Sequence, residues 1–568
     1  YTESLPLPDV TARPVESWGL HAALFPPSYW HWIHLHHVLR EESIDLRHLP
    51  TDGPLLSLVV PVYRPSLWYF RESVQSVVAQ TYQNWELCLC DDGSGDPELT
   101  AAMDEMAAAD PRIRVMALEQ NGGISRATNK ALAAANGEFV VLLDHDDMLD
   151  PEALAEIASV VLAESDVDII YTDEDKLDEL DRPCQPHFKP DWDPDMLLSF
   201  PYLGHVTAIR HELILRIGGF RPEFDGSQDY DLLLRVTELT DRIAHIPEPL
   251  YSWRAVEGSA ARDADAKPYA AEAAKRALAD ALGRRGVGGS IEPTRFPTFY
   301  RTRYTVLGKP RVSIIIPTRD GLHLLEPCVQ SILERSTYSN YEIVVVDNQS
   351  SEGSTLEFLA RSPVRVIRYP HRFNYSRQMN LAASSAESDV LLFLNNDTEV
   401  ITPEWIEALL EHAMRPDVGA VGGRLYYTDG RVQHEGILVG AAGGWAWNVD
   451  HGGYFARGDL VRNLSAVTGA CTMIRSTVYD RIGGNDERLR IAYNDVDICL
   501  RVRQAGLQVV YTPYAELFHH EGATRKGYED DVDGPFFGER WQVLSSIDPY
   551  HSPWFLNNRT DTAFLLAL

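Results

Sequence analysis

Two short acidic clusters carry the densest chemistry in the chain. Asp144-His145-Asp146-Asp147 and Asn395-Asn396-Asp397 each end an apolar run, VVLLD in one case and LLFLN in the other. Carboxylates crowded at a strand end repel one another and are costly without a cation, so a divalent metal is the favoured explanation. Hard oxygen ligands with room left for phosphates suit Mg²⁺ or Mn²⁺. Taken once, an acidic turn before the helix at Pro151-Glu152 or Pro403-Glu404 would explain either cluster; recurrence at the equivalent strand end favours the metal. A second matched pair is Gln228-Asp229-Tyr230-Asp231 and Asn494-Asp495-Val496-Asp497. Each follows a Gly-Gly turn and opens an apolar helix ending in Arg235 or Arg501. Helix capping and a carboxylate general base aimed at a substrate hydroxyl account for this pattern equally well.

A third pair, Asp91-Asp92 and Asp347-Asn348, closes an apolar strand and offers hydrogen bonds to a base or ribose. No GxGxxG fingerprint or Walker A sequence follows the first strand, which argues against a dinucleotide enzyme or a P-loop ATPase.

These pairs belong to an internal repeat. SLVVPVY at 57–63 returns as SIIIPTR at 313–319, and YQNWELCLCDDGS from Tyr82 returns as YSNYEIVVVDNQS from Tyr338. The run from Ser125 matches that from Ser376, and QDYDLLLRV matches NDVDICLRV. The order is kept while the offset drifts, as loop-length changes between two copies of one domain would produce. The expected organisation is an N-terminal helical segment (1–50), a first domain (51–295), a linker (296–310), a second domain (311–540) and a tail packed on the second domain (541–568). Within each copy, short β-branched runs such as Leu56–Pro61 and Val312–Pro317 alternate with amphipathic stretches such as Leu67–Gln80. That alternation predicts an α/β fold with a parallel, doubly wound sheet, whose ligands sit beyond the carboxyl ends of the strands. The aromatic and His-rich stretch around Tyr29–His37 reads as an amphipathic helix on the first domain in preference to a metal site.

The chain has 568 residues, 45% hydrophobic and 24% charged, a composition that excludes disorder as the main state. A net charge of −32 opposes binding to nucleic acid or to an anionic membrane surface. No uncharged apolar run approaches the roughly 20 residues that span a bilayer. The start at Tyr1, without Met, leaves room for a preceding segment. Six scattered Cys read as reduced, mostly buried thiols of a cytoplasmic protein, either free or peripheral at the inner face of a membrane.

The four elements in this order resemble the inverting, nucleotide-sugar-dependent glycosyltransferases of family two, of the bacterial cell-surface polysaccharide type, over most of 55–255 and 311–525. The resemblance implies two tandem GT-A domains. Asp144-His145-Asp146 is similar to the family's DxD motif, with Asp144 and Asp146 toward the metal, and Asp397 is the counterpart ligand in an asparagine-bearing variant. Pro61, Val62, Tyr63, Asp91 and Asp92, and in the second copy Pro317, Thr318, Arg319, Asp347 and Asn348, resemble nucleotide contacts. Arg126, Arg377, Asp144 and Asn395 join them on the donor side, and Asp229 and Asp495 resemble the catalytic base. The segment Phe518–Thr524 looks like the family's late metal-binding histidine, with His519 preferred and His520 kept open. The first copy reads Leu250-Tyr251-Ser252-Trp253-Arg254 there, without histidine.

Trp445 and Trp447 are candidates for stacking an acceptor sugar, and Asp173 falls in the matching region of the first copy; packing beneath a loop and a solvated acidic loop are the alternatives. The implied reaction is transfer from a nucleotide-sugar, of UDP or dTDP type, to a glycan or lipid-linked glycan hydroxyl. Either both domains are catalytic, or one is a glycan-binding module. A sugar-phosphate nucleotidyltransferase is disfavoured by the lack of a Gly-rich basic loop after either first strand.

Overall fold

The apolar runs form strands that extend one residue past their expected ends, to Val62, Asp91, Thr318 and Asp347. The computed structural model describes residues 29, 32–34, 36–37, 53–255, 268–440, 446–449, 454–520, 533–542 and 548–555. In the first copy the strands are β1 (Leu56–Val62), β2 (Trp85–Asp91), β3 (Ile113–Ala117), β4 (Phe139–Leu142), β5 (Met148–Leu149), β6 (Ile169–Leu177), β7 (Pro183–His187), β8 (Thr207–Arg210) and β9 (Ile243–Arg254). A hairpin of β10 (Gly289–Pro293) and β11 (Tyr300–Tyr304) follows. The second copy holds β12 (Val312–Thr318), β13 (Tyr341–Asp347), β14 (Arg365–Arg368), β15 (Val390–Leu394), β16 (Thr398–Val400), β17 (Val418–Tyr426), β18 (Val432–His434), β19 (Ile437–Val439), β20 (Ala446–Asn448), β21 (Arg462–Asn463), β22 (Cys471–Arg475) and β23 (Gln508–His519).

The two large sheets have the same strand order. It is β3-β2-β1-β4-β8-β6-β9-β5 in the first copy and β14-β13-β12-β15-β22-β17-β23-β16 in the second, with β7 and β18 at the side of β6 and β17. Small polar details repeat as well: Ser57 donates to Glu86 (2.6 Å) as Ser313 does to Glu342 (2.7 Å), and Tyr82 and Tyr338 donate to the carbonyls of Pro54 and Pro310. The sheets are mostly parallel, as expected, with antiparallel strands among the parallel ones. β8 and β22 run antiparallel between two parallel groups, so one residue past each central strand faces a chain coming the other way. Helices cover both faces, with separate apolar cores on either side of each sheet.

The stretch 296–310, expected as a linker, contains β11. Its sequence YRTRY alternates: Tyr300 and Thr302 are buried, Tyr300 in the core of the first copy, while Arg301 and Arg303 pair with Glu411 of the second (3.3 and 2.8 Å). An amphipathic strand thus serves both domains. Around it Tyr454 receives the Phe188 N–H (2.8 Å), and Asp195 is ion-paired with Arg415. Tyr29, Trp32 and Ile33 of the N-terminal segment pack with Phe188 of the first copy and with Tyr454 and Phe555 of the second. In the tail, Trp541 and Tyr550 enter the core of the second copy, whereas Phe555 joins this shared cluster. The six Cys are free, five of them buried. Among the described residues no helix is long and apolar enough to cross a membrane.

Candidate functional site

Both acidic clusters lie just past a central strand, β4 or β15, as expected. In the first copy, Asp147 is the structural member of its cluster. Its buried carboxylate accepts the Tyr251 hydroxyl (2.6 Å) and the Arg254 N–H (2.7 Å), tying the motif to the end of β9. Arg254 also donates to the Asp146 carbonyl (3.0 Å). Burial, reinforced by the charges of Asp144 and Asp146, pushes the Asp147 carboxyl well above the usual carboxylate range. Burial also raises Asp146; His145 counteracts and Asp144 adds to the shift. Crowded carboxyls with raised proton affinity are what a bound cation relieves.

In the second copy His519, at the end of β23, brings its Nε2 to 3.3 Å from Asp397 Oδ1 and 3.2 Å from the Asn395 amide. Its Nδ1 meets Gln433 Oε1 at 2.6 Å, which fixes the ring and leaves Nε2 for the motif. His520 is instead held by Glu399 (2.8 Å), which raises its basicity, so the structure separates the two histidines that the sequence left open. The donors are carboxylate oxygens and an imidazole, a set suited to Mg²⁺ or Mn²⁺. Among the described residues no three His, Cys, Asp or Glu side chains already form a metal-holding group.

Each base candidate sits in the first turn of its helix, Gln228–Val236 or Asn494–Gln504, where the helix dipole favours negative charge. Neither caps a helix through its side chain in the usual way: Asp229 accepts the adjoining Tyr230 N–H (2.8 Å). Burial raises the Asp229 carboxyl; His205 opposes the shift and Asp144 adds to it, which puts motif and base in one electrostatic neighbourhood. Asp495 accepts the N–H groups of Gly469 (2.8 Å) and Val496 (2.9 Å) and lines a small cleft with Tyr375, Phe393, Thr472 and Asn485. Ala470, next to Gly469, accepts the Asn395 N–H (3.1 Å), so the motif and Asp495 meet across two residues. The other Asp of each pair is fully buried: Asp231 binds Arg235 (2.7 Å) and Asp497 binds Arg501 (2.8 Å). That burial distinguishes the two carboxylates of each motif, which sequence could not.

On the nucleotide side the expectations divide. Tyr63 and Arg319 are exposed past the ends of β1 and β12, Pro61 contacts His145 through its carbonyl (3.3 Å), and Pro317 is half-buried. Val62 is fully buried, a core residue whose side chain cannot touch a ligand. Asp92 gives both carboxylate oxygens to Asn121, Gly122 and Gly123 (2.6–3.0 Å), shaping the loop before the helix Ile124–Leu132 in place of the expected ribose contact. Asp91 and Asp347 accept Ser94 and Ser350 N–H groups (3.0 Å each), and Asp347 is ion-paired with Arg368. Asn348 donates to the carbonyls of Tyr369 and His371 (3.2 and 2.9 Å). Thr318 is buried and accepts from Asn396 (3.1 Å), joining the first strand to the motif. Arg126 and Arg377 are exposed, Arg377 on Glu487 (2.8 Å).

The acceptor expectations change more. Asp173 is fully buried, accepting the Lys189 N–H (2.7 Å) and paired with His245 (3.0 Å), so it holds the fold and does not face an acceptor. Trp447 is 49% exposed on β20. Trp445 lies outside the described residues. The sequence reading missed His205, whose Nε2 stands 4.0 Å from Asp144 Oδ2. Its signal is visible only by comparing the repeats: GHVTAIR against GACTMIR.

The family model described as Glycosyl transferase family 2 matches residues 57–210 and 313–483, more than half of the chain and once in each copy. The chain belongs to glycosyl transferase family 2. Within that family it is similar to the O-antigen biosynthesis protein RfbC of Myxococcus xanthus, 40% identical over 520 residues, covering 89% of this chain and 41% of that protein. It is also similar to the uncharacterized protein y4gI of Sinorhizobium fredii, 45% identical over 535 residues, with 90% and 58% covered. The chain thus spans about two-fifths to three-fifths of these relatives. Among solved structures, GalNAc-T7 with UDP, GalNAc and Mn²⁺ aligns at TM-score 0.33 and 18% identity (41% and 48% covered). Staphylococcus aureus TarS 1–349 with UDP-GlcNAc aligns at 0.32 and 21% (40% and 72%). Each of the two family-matched segments of this glycosyl transferase family 2 chain contributes to one of the two mixed α/β sheets.

Proposed function

We propose that the chain is a metal-dependent, inverting glycosyltransferase with two GT-A sites, moving sugars from nucleotide-sugar donors of UDP or dTDP type to hydroxyls of a growing surface glycan. The observation that carries this reading is duplication of the whole arrangement: a strand-end acidic motif beside a half-buried Asp in the first turn of a helix, set on two sheets of identical strand order. Asp144 and Asp146 in one copy, and Asp397 and His519 in the other, would hold Mg²⁺ or Mn²⁺. Bound there, the metal supplies neutralisation of the charge that develops on the departing diphosphate.

The remaining work falls to the chain itself. Asp229 and Asp495 take the proton of the acceptor hydroxyl as it attacks the anomeric carbon from the face opposite the nucleotide, and one displacement inverts the centre. Gly469 N–H and Val496 N–H hold the Asp495 carboxylate in place. The raised proton affinity of Asp229, caused by burial, moves it toward the range of an effective base. Trp447, exposed on β20, offers an aromatic face to an acceptor sugar.

The test is release of free nucleotide from a panel of nucleotide-sugars with Mn²⁺ or Mg²⁺ and an extract-derived acceptor, for the wild type, Asp229→Asn and Asp495→Asn. Loss of a different donor in each variant means two catalytic domains. If one variant leaves every activity intact, that domain is a glycan-binding module, the second reading, which the missing late histidine of the first copy favours. No turnover of any donor, with no metal-dependent binding, overturns the transferase reading.

A further inference from the structure

The ladders of the two sheets allow residue-by-residue matching that sequence alone does not. Phe139 and Val390 pair with the first residues of β1 and β12, and on their other side with Arg210 and Arg475. Counting along these strands places Asp144 on Asn395 and His205 on Ala470. At the sheet edge, Met148–Ser252 corresponds to Glu399–Phe518, which places Trp253 on His519. The second copy therefore carries Asn395, Ala470 and His519 where the first carries Asp144, His205 and Trp253. In the second copy the imidazole comes from β23 and approaches the last motif residue, Asp397. In the first it comes from the residue that the β4–β8 register, continued past its last pair, sets opposite Asp144, and it approaches that first motif residue.

We propose that His205 is the metal ligand of the first copy, supplied from the strand beside the motif in place of the late histidine; the assignment rests on the metal-dependent reading above. His205 is 7% exposed, and among the described residues its Nδ1 has no hydrogen-bond partner. Its Nε2 lies 4.0 Å from Asp144 Oδ2, too far for a hydrogen bond; neighbouring ligands of an octahedral cation stand about 3.0 Å apart, so a bound ion would draw the two side chains together by about 1 Å. The ring is held on Tyr251 (centroids 4.8 Å, 20°) and against Trp253 (5.3 Å). Its backbone is pinned on both sides: the N–H donates to the half-buried Glu174 (2.8 Å) and the carbonyl accepts from the buried Lys189 (2.9 Å). Trp253, which fills the place of the late histidine, is thus one of the walls that orient the substitute. In this account the first copy supplies an imidazole of its own and is not a degenerate copy.

The test counts Mn²⁺ on the intact chain, from the EPR signal of free Mn²⁺ in the presence of UDP. The wild type should bind two ions and His519→Ala one. Pulsed EPR of the ion left in His519→Ala should show a directly bound imidazole nitrogen, a readout that needs no change at position 205. Adding His205→Gln should weaken that ion tenfold or more. A remaining ion without nitrogen coupling, or with affinity unchanged by His205→Gln, overturns the assignment and leaves the transferase reading standing, as does a wild type whose single ion is lost in His519→Ala. A wild type that binds no Mn²⁺ overturns the metal-dependent reading itself.

Discussion

Asp195→Ala tests whether the two domains are one mechanical unit. Asp195 is 2% exposed, accepts from Asn463 Nδ2 (2.8 Å) and is ion-paired with Arg415 on the other domain, whose second nitrogen lies 3.3 Å from Oδ2. Burial would raise this carboxyl, but the positive charge of Arg415 wins and holds it below the usual range. Removing one partner of a buried pair costs roughly 3–5 kcal/mol, because the other charge is left uncompensated. Arg415 keeps Asp417 (2.6 Å), so the lower end, about 3 kcal/mol, is expected. Urea unfolding should show a lower midpoint and, with the interface weakened, separate transitions for the two domains. Asp195→Leu with Arg415→Met should recover most of the loss, since no buried charge is then orphaned. A shift under about 1 kcal/mol, the value of a surface pair, would refute the reasoning.

Three further outcomes are expected. Asp175, which accepts from Tyr29 (2.7 Å) and Ser252 (2.6 Å), is pushed by burial up to about 7. A carboxyl raised in the folded state contributes its stability fully below the unfolded value near 4 and loses it as pH rises toward 7, about 4 kcal/mol in all. The stability of Asp175→Asn relative to wild type should therefore improve between pH 4 and pH 8 in thermal unfolding; a pH-independent difference refutes this. His519→Ala should weaken Mn²⁺ at the second copy tenfold or more by isothermal titration, whereas His520→Ala, which breaks a half-exposed pair with Glu399, should leave it unchanged. Gly123→Ala should lower stability by more than about 1 kcal/mol, because φ is +92° and a Cβ would stand 2.3 Å from the Asp225 carboxylate; a neutral result in denaturant unfolding contradicts that packing.

What the sequence determined by itself was the duplication and the strand ends. β1, β2, β4 and their partners are buried on both faces, so they read as largely apolar runs, and the polar residues just past them are local in the chain. The acidic motifs and both base helices were legible for the same reason: each is a contiguous pattern followed by its own helix. Only the tertiary structure decided which of the candidate residues lie together. His519 and His520 are adjacent in sequence, and Gln433 and Glu399, far away on other strands, separate them. Asp173 resembled a solvated acidic loop until β6 was placed beside β9 and its carboxylate met His245. The stretch 296–310 read as a linker until β11 placed Arg301 and Arg303 on Glu411. His205 carried no signal of its own, because it lies 61 residues from Asp144 and joins it only through the antiparallel register of β4 and β8. Period-two alternation and apolar runs are written along the chain, whereas ladder register and cross-strand contact between distant residues exist only once the sheet has closed.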